Sequence, residues 1–384
     1  MKIIHLSDLH VGKRVNGFSL IEDQRYILDR IAEISEEEKP DVIIIAGDVY
    51  DKPQPSGEAV TVFDSFITKL SKLRNCRNEK TLILIISGNH DSGERLSFGQ
   101  DIFREEGITI SGTYDGSLKT VRVEDDFGTV SFTLLPFIKP ANVRSVTGEE
   151  VSTYTEAVEA ALKGAEINEG ERTVLVAHQF VTGGITSESE EYSVGGLDNV
   201  DGSVFDSFDY VALGHLHGPQ KMGRETLRYG GSPLKYSFSE VNQKKSVTVV
   251  ELFEKGKTDI RLIPLKPLRD MREIEGTYES LMGPEGRTTG STEDYIKAVL
   301  TDEEGIPYVM GKLRSVYPNI MEVAYNNLKK RDGTVAAAND FTGIKEDPID
   351  VFCEFYRQQN NREIDSEKKE YIRGLIEEVW EEEA

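Results

Sequence analysis

Short runs of β-branched and other apolar residues recur along the first two thirds of the chain, and each run ends abruptly in polar residues. The clearest case is LILIISGNHD, in which an apolar run that begins at Leu82 meets Gly88, Asn89, His90 and Asp91. Such unbroken runs are typical of parallel strands covered on both faces. Amphipathic helical patterns separate the first three runs, so the sequence predicts an α/β fold whose strands deliver polar side chains to one edge of a sheet.

Apolar strands continue after these three, but the connections between them become shorter. Several connections are too short for a helix to cross back over a sheet, which indicates antiparallel pairs. We therefore expect an α/β sandwich with both parallel and antiparallel strands. The predicted strands are KIIHLSD, DVIIIAGD, TLILIISGNHD, LKTVRV, TVSFTLLPF, RTVLVAH and YVALGH, then the hairpin-like pair SVTVVELF and DIRLIPL; the early helices are LIEDQRYILDRIAEISEEE and SGEAVTVFDSFITKLSKL.

The sequence changes character after residue 265, which marks a predicted domain boundary. Residues 266–330 have the pattern of a small α/β unit, with the strand DYIKAVL, the helix GIPYVMGKLRSV and the strand IMEVAYN. Residues 331–345 are polar and rich in small residues, as in a linker. Residues 346–384 carry two short amphipathic helical patterns. We predict a main domain over residues 1–265, followed by the small unit, the linker and the terminal helices.

The composition is typical of a soluble globular protein, since 38% of the 384 residues are hydrophobic and 29% are charged. No apolar run approaches the ~20 residues of a membrane span, and the first residues become polar too early for a signal peptide. The two cysteines, Cys76 and Cys353, suit a reducing compartment better than a single disulfide. We therefore expect a cytoplasmic protein.

The formal net charge of −23 argues against a nucleic-acid-binding protein, because a protein that binds duplex DNA usually presents a basic surface. Net charge does not describe the local charge of a binding surface, however. Bound divalent cations or a basic partner subunit would reverse the sign where nucleic acid approaches. The charge is therefore evidence against a DNA substrate, but it does not exclude one.

Five polar clusters, SDLHVG, AGDVYD, SGNHD, VAHQF and LGHLHG, lie at the ends of predicted strands. In open α/β sheets the ligand site lies beyond the carboxyl ends of the strands. Asp8 and His10 are two residues apart, so an extended backbone points both side chains the same way, and His215 and His217 repeat this spacing. Five of the six histidines lie in these clusters. If each had only a structural role, their concentration at strand ends would be a coincidence. We interpret the clusters as one site.

Two aspartates, one asparagine and several histidines make an oxygen and nitrogen ligand set without a thiolate. Such a set disfavours structural zinc and suits Mn²⁺ or a related ion. The candidate ligands are too many for one ion, whereas a carboxylate such as Asp48 can bridge two ions ~3.5–4 Å apart, the arrangement suited to phosphate-ester hydrolysis. The residues therefore predict a two-metal phosphoester hydrolase.

The ordered motifs DLHVG, GDVYD, GNHD, AHQF and GHLH resemble those of the calcineurin-like metallophosphoesterase superfamily, over roughly residues 1–265. More closely, DLHVGK, GNHDSGERL and YGGSPLKYSFSE resemble the bacterial SbcD family, whose members are related to the double-strand-break repair nucleases of archaea and eukaryotes. The segments after residue 265 resemble that family's C-terminal domain. The resemblance implies a β-sandwich flanked by helices in four layers (αββα), a small α/β capping domain for DNA recognition, and terminal helices.

The same resemblance implies a Mn²⁺-dependent DNA nuclease in DNA end processing, repair and recombination, with Mg²⁺ as the alternative metal. It would degrade duplex ends in the 3′ to 5′ direction and cut hairpins and single strands. The implied partner is an SbcC-type ATPase, to which the C-terminal helices would dock. A homodimer within a heterotetramer is also implied.

The resemblance assigns a role to each motif residue, and no motif residue is missing. His90 is expected to donate a proton to the leaving oxygen. Asp91 is expected either to orient its loop through hydrogen bonds or only to cap the turn. The first ion is expected to bind Asp8, His10 and His217, and the second Asn89, His178 and His215, with Asp48 as the bridge between them.

Weaker signals leave alternatives open. Ser7, Lys13, Arg228 and Lys235 are candidate phosphate contacts or ordinary surface and packing residues. The glycine-bounded loop at residues 181–196 is a lid, a guide for DNA or a plain surface loop. For the whole chain, a small-molecule phosphodiesterase or phosphoprotein phosphatase would not need the region after residue 265. A subunit that only tethers DNA ends would not need the intact ligand set.

Overall fold

The computed structural model describes residues 1–165, 168, 170–190, 198–288, 290–326, 349, 352–353, 356–357 and 364–382. These residues group into two compact units. The first unit contains residues 1–273, 290–297 and 317–322, and the second contains the described residues of 274–289, 298–316 and 323–384.

The strands are numbered β1 to β19 in chain order. They are β1 Lys2–Leu6, β2 Arg14–Val15, β3 Phe18–Ser19, β4 Val42–Ala46, β5 Leu82–Ile86, β6 Ile108–Ser111, β7 Lys119–Asp125, β8 Gly128–Leu135, β9 Arg172–His178, β10 Phe180–Val181, β11 Asn199–Val200, β12 Tyr210–Gly214, β13 Gln220–Met222, β14 Arg224–Tyr229, β15 Ser246–Leu252, β16 Thr258–Pro264, β17 Met271–Gly276, β18 Tyr295–Leu300 and β19 Ile320–Tyr325.

The helices are numbered α1 to α9. They are α1 Ile21–Glu38, α2 Gly57–Leu70, α3 Gly93–Leu96, α4 Gln100–Glu105, α5 Pro140–Thr147, α6 Tyr154–Lys163, α7 Tyr278–Met282, α8 Val309–Leu313 and α9 Ser366–Glu382, with 3₁₀ turns at Gly202–Phe205, Phe238–Glu240 and Glu285–Thr288.

The first sheet has the strand order β16-β15-β1-β4-β5-β6. Strands β1, β4, β5 and β6 run parallel, and β15 and β16 pair antiparallel at one edge. All five residues of β4, VIIIA, are buried, as expected for a strand covered on both faces. The parallel strands therefore end together at one edge of this sheet.

The second sheet has the order β13-β14-β12-β9-β8-β7. Strands β8, β9, β12 and β14 run parallel, and β7 and β13 pair antiparallel at its two edges. Both sheets thus have a parallel centre, and the central strand ends of the second sheet, at His178 and Gly214, pair with each other.

Three apolar clusters pack the first unit into four layers. One cluster lies between the two sheets and includes Ile44 and Val176. A second packs α1 and α2 on the first sheet through residues such as Ile27 and Phe66. The third packs α5 and α6 on the second sheet through residues such as Val158. The order helix, sheet, sheet, helix confirms the αββα arrangement that the family resemblance implied.

A buried ion pair of the second sheet lies at the end opposite the carboxyl ends of the parallel strands and contacts the first sheet. Arg172, at the start of β9, and Asp125, at the end of β7, are each 3% exposed at the side chain. Arg172 Nη1 lies 3.1 Å from Asp125 Oδ2 and donates to the Phe253 carbonyl oxygen at 2.9 Å. Because Phe253 directly follows β15, this guanidinium holds the first sheet to the second.

A third sheet has the order β17-β18-β19. Its strands β18 and β19 and helix α8 correspond to the strand, helix and strand predicted for residues 266–330, whereas β17 was not predicted. The predicted linker over residues 331–345 lies outside the described residues, and of the terminal helices α9 is described. The predicted boundary at residue 265 stays a prediction. Within the described residues, no helix is long and apolar enough to cross a membrane.

A candidate two-metal centre

The polar clusters predicted at strand ends meet at one place in the first unit. The first sheet supplies residues that follow β1, β4 and β5, and the second sheet supplies residues at or just beyond the ends of β9 and β12. This convergence follows from the topology, because parallel strands end at the same edge of a sheet and the two sheets lie face to face. The residues brought together are Asp8, His10, Asp48, Asn89, His90, His178, His215 and His217.

The Asp48 carboxylate lies at the centre of this group. Its Oδ2 atom is 3.5 Å from His10 Nε2 and 3.3 Å from His178 Nε2. Its Oδ1 atom accepts a hydrogen bond of 2.9 Å from the His90 backbone N–H. One carboxylate oxygen therefore faces a histidine from each sheet, which is the geometry a bridging ligand requires.

On one side of Asp48, the ligand atoms of Asp8, His10 and His217 lie within 4.8 Å of one another. The Nε2 atoms of His10 and His217 face each other at 3.1 Å. Asp8 Oδ1 accepts from the His215 backbone N–H at 2.9 Å. Its buried Oδ2 atom has no hydrogen-bond partner among the described residues. A buried anionic oxygen without a donor fits a cation ligand, because it would otherwise be destabilising.

On the other side of Asp48, Asn89 Oδ1 lies 3.0 Å from both His178 Nε2 and His215 Nδ1. His178 Nδ1 lies 2.8 Å from the Ala46 carbonyl oxygen. A carbonyl only accepts, so Nδ1 carries a proton, and Nε2, which faces Asp48, is the atom through which His178 would bind a metal ion. This oxygen and nitrogen set also fits a divalent cation, and the arrangement of both sides is compatible with the two ions predicted from the sequence.

Burial and charge set the protonation of the site. Burial lowers the pKa of His10 well below its ordinary value and lowers that of His215 to about 3, so both rings are neutral and free to act as ligands. Burial also lowers the pKa of His178, but the Asp48 carboxylate outweighs it and raises that pKa to about 9. The Asp48–His178 pair therefore attracts positive charge, either a proton or a metal ion.

The backbone is strained where it presents these side chains. Asp8, His10 and Asp48 have φ values of 53°, 44° and 50°, and His215 has 109°. Left-handed backbone at residues other than glycine costs roughly 1–2 kcal/mol each. Strain of this kind concentrates at functional sites, where the surrounding fold has to maintain it.

The strand ends approach so closely at this edge, both within the first sheet and between the two sheets, that only glycine fits at certain positions. A Cβ atom on Gly214 would lie 1.9 Å from the Ala46 carbonyl oxygen, and one on Gly88 would lie 2.1 Å from Asp48 Oδ1. The glycines that flank the sequence motifs therefore allow the strand ends to approach, as expected from their type.

His90 and Asp91 lie beside the candidate ligands. His90 Nδ1 is 3.1 Å from the Asp51 carbonyl oxygen, to which it donates, and its ring centroid is 4.8 Å from that of His10. His10, Asp48 and His90 also have ligand atoms within 4.8 Å of one another, so distance alone does not separate His90 from the ligands. Because Nδ1 is occupied by this hydrogen bond, Nε2 is the His90 ring nitrogen that remains to exchange a proton.

The Asp91 carboxylate holds three backbone N–H groups around this turn. It accepts from Val49 at 3.0 Å, from Tyr50 at 2.9 Å and from Gly88 at 3.0 Å. These donors belong to the loops that follow β4 and β5. Asp91 thus connects two loops through hydrogen bonds. This role is larger than the capping of a single turn, the alternative expected from the sequence.

The weaker candidates for phosphate contact are engaged inside the protein. Arg228 is 7% exposed and lies 3.4 Å from Glu225, and Lys235 Nζ is 2.8 Å from Asp270. Lys13 Nζ is 2.9 Å from Asp51, and Ser7 is buried. The structure therefore gives these four residues internal packing and pairing roles.

A set of residues around His217 was not predicted from the sequence. Ser189 and Glu190, from the loop at 181–196, contact His217, and so does Glu240 from the 3₁₀ turn. Residues 191–196 of that loop lie outside the described residues. The only signal in the sequence was the acidic and serine-rich stretch itself, because the contacts join residues far apart in the chain.

Comparisons with known proteins identify the family of the chain. Residues 1–219 match the family Calcineurin-like phosphoesterase, and residues 267–360 match the family Type 5 capsule protein repressor C-terminal domain. A solved dimetal phosphatase from Danio rerio is similar with a TM-score of 0.40 and 11% identity, over 70% of this chain and 98% of that chain. A similarity that low does not bear on function.

The family match over residues 1–219 and the candidate Asp/His metal site define the class of the protein, a metal-dependent phosphodiester hydrolase of the calcineurin-like type. The chain is also 33% identical over 383 residues to the SbcD subunit of the nuclease SbcCD of Staphylococcus epidermidis, and the match covers 98% of each chain. The chain therefore belongs to the SbcD family within the calcineurin-like phosphoesterases.

Proposed function

We propose that this chain is the nuclease subunit of a complex with an SbcC-type ATPase. It would hydrolyse duplex DNA ends in the 3′ to 5′ direction and cut hairpins and single strands in DNA end processing, repair and recombination. The observation that carries the proposal is the Asp48 Oδ2 atom, which lies within 3.5 Å of a histidine from each sheet. The 33% identity to a nuclease subunit along nearly the whole chain supports DNA as the substrate.

Two groups of residues would hold two divalent ions, with Mn²⁺ as the proposed metal and Mg²⁺ as the alternative. When bound, a pair of such ions activates water and neutralises the phosphodiester charge. The chain's own contribution is to fix the ligands. Asp48 would bind both ions; Asp8, His10 and His217 would hold the first, and Asn89, His178 and His215 the second.

His90 would donate a proton from Nε2 to the leaving 3′ oxygen. Its Nδ1–H is occupied by the Asp51 carbonyl oxygen at 3.1 Å, which fixes the ring and leaves Nε2 to exchange the proton. Asp91 would hold the loop that carries His90, because its carboxylate accepts from the backbone of the loops that follow β4 and β5.

The partner would also resolve the conflict between a net charge of −23 and a DNA substrate. Bound cations would offset the acidic cleft, and basic surfaces on the ATPase would contact the DNA backbone. The terminal helices would dock on that ATPase, and two copies of the chain would form a homodimer within a heterotetramer. Such a complex would act in the cytoplasm.

The test of this function is degradation of a linear duplex labelled at its 5′ ends, in the presence of Mn²⁺. We expect progressive shortening from the 3′ ends by the wild-type chain. His90→Ala should retain its metal ions but lose cleavage by about 10²–10⁴-fold, the contribution typical of a general acid. Metal content measured on the same samples is the control.

Two outcomes would contradict the proposal. One is His90→Ala cleaving as fast as the wild type, which would remove His90 from the chemistry. The other is no cleavage by the wild type even after addition of the ATPase partner with ATP. Hydrolysis of a small phosphodiester in that second case would favour a small-molecule phosphodiesterase.

A further inference from the structure

A buried polar network lies behind His217, on the side of the ring away from His10. The His217 ring directs Nε2 toward His10, so Nδ1 points to the opposite side. There Nδ1 lies 2.6 Å from the Ser189 hydroxyl and 3.4 Å from Glu240 Oε1. The Ser189 hydroxyl also donates to Glu240. The imidazole, the hydroxyl and the carboxylate therefore form one hydrogen-bonded chain.

The Glu240 carboxylate is fully buried, and a single lysine balances its charge. The Glu240 side chain is 0% exposed and that of Lys245 is 5% exposed, with Nζ 2.6 Å from Oε2. The Lys245 ammonium also donates to the His217 carbonyl oxygen and to Ser232 Oγ, both at 2.8 Å. A buried charge pair is tolerated only where such additional hydrogen bonds satisfy it, and here one of them goes to the His217 carbonyl oxygen.

His217 is held at three points by this network. Its backbone N–H donates to Glu190 Oε1, its carbonyl accepts from Lys245, and its Nδ1 bonds to Ser189. The other candidate ligand rings are supported differently. His178 Nδ1 donates to a backbone carbonyl, and His10 Nδ1 has no hydrogen-bond partner among the described residues.

We propose that Glu240, acting through Ser189, is a positioning residue that fixes the tautomer and orientation of His217, and that Lys245 balances its charge. Because a carboxylate draws the proton to Nδ1, the Nε2 lone pair is directed toward His10 and Asp8. Carboxylates in this position also raise the basicity of a metal-binding imidazole. The inference rests on the proposed function, and it predicts that the two ions depend unequally on Glu240.

The test compares Glu240→Gln and Ser189→Ala with the wild type, by calorimetric titration of the metal-free chain with Mn²⁺. We expect two ions in the wild type. In Glu240→Gln, one ion should bind about 10–100-fold more weakly, the loss typical of removing such a support, and the other should bind as before. Ser239→Ala is the matched control, because the exposed Ser239 hydroxyl bonds to Glu188 and Ser237 instead, and it should bind both ions like the wild type.

A second measurement reports the tautomer without metal or activity. Nitrogen NMR of the six histidine rings in the metal-free chain should show the His217 proton on Nδ1 in the wild type. Glu240→Gln and Ser189→Ala should both shift this proton toward a mixture of the two ring nitrogens. A residue with only a structural role would leave the tautomer unchanged. Circular dichroism of each variant checks the fold.

The outcomes separate this inference from the proposed function. If the wild type binds two ions and both variants bind them equally well, the role of Glu240 is overturned. Equal weakening of both ions in the variants overturns it too. Neither result affects the proposed function. A wild-type chain that takes up no Mn²⁺ overturns the proposed function and this inference with it. If Glu240→Gln does not fold, Ser189→Ala decides by the same criteria, because it leaves the Glu240–Lys245 pair intact.

Discussion

Asp48 is the residue on which both groups of candidate ligands depend. It comes directly after β4 in left-handed backbone, and its carboxylate faces His10 and His178. Removing any other candidate ligand leaves one group complete, whereas removing this carboxylate disturbs both.

We therefore expect Asp48→Asn to lose affinity for both ions and to lower nuclease activity by at least about a hundredfold, more than the loss of a supporting residue. The amide keeps the shape of the side chain but cannot bridge two cations with a negative charge. Titration with Mn²⁺ and the duplex degradation assay measure the two effects. A variant that still bound two ions would contradict the bridging role.

At the scale of single residues, the sequence predicted which side chains converge at the site. Each candidate ligand lies at or just after the end of a strand, and parallel strands end at the same edge of a sheet. The sequence did not predict the hydrogen bonds that hold them. Ser189 and Glu240 contact His217 across 28 and 23 residues of chain, and no local pattern links such positions. Support residues of this kind require three-dimensional contacts to be recognised.

At the level of strands, the site depends on the close approach of β4 and β12 at their ends. The Ala46 carbonyl oxygen at the end of β4 faces Gly214 at the end of β12. A Cβ atom on Gly214 would lie 1.9 Å from that oxygen and 2.7 Å from His178 Nδ1. No side-chain rotation relieves a contact with backbone, so the two sheets would have to separate.

Gly214→Ala should therefore destabilise the protein by about 1–3 kcal/mol or more, the range for overpacking a buried site, and should weaken metal binding. Thermal unfolding followed by circular dichroism measures the first effect. Gly57→Ala is the matched control, because nothing lies within 4 Å of a Cβ at that position. Equal unfolding temperatures for the two variants would show that the sheets can move apart without loss.

The early strands and helices were predictable because apolar runs of β-branched residues and amphipathic patterns are local signals. Helices α5 and α6 were not predicted, although α6 has a capping box of Thr153 and Glu156. The pairing of β15 with β1 was also not predicted, since it joins residues 246–252 to residues 2–6. Partner choice in a sheet depends on the whole topology and leaves no local signal.

For the molecule as a whole, the Arg172–Asp125 pair holds the sandwich together at the end away from the site. Burial alone would raise the pKa of Asp125, but hydrogen bonds from Arg172 and the Met1 amino group outweigh burial and lower that pKa to about 2. A carboxyl whose pKa is lower in the folded state stabilises the fold above its ordinary pKa.

Asp125→Asn should thus lower the free energy of unfolding by about 2 kcal/mol at neutral pH. The difference from the wild type should shrink as the pH falls from about 4 through 2, where the wild-type carboxyl is protonated. Denaturant unfolding at several pH values measures this dependence. Asp126→Asn, at the exposed neighbouring position, is the control, and a difference that did not vary with pH would contradict the ion-pair explanation.

The order of the candidate ligands along the chain has a consequence for biosynthesis. Asp8 is the first of the candidate ligands along the chain, yet β1 lies between β4 and β15 in its sheet, so its final position is not fixed until residues 246–252 have been made. Under the proposed assignment, a nascent chain holds no complete cutting site until β15 has been synthesised. Translation interrupted before that strand would therefore yield fragments that lack a complete cutting site.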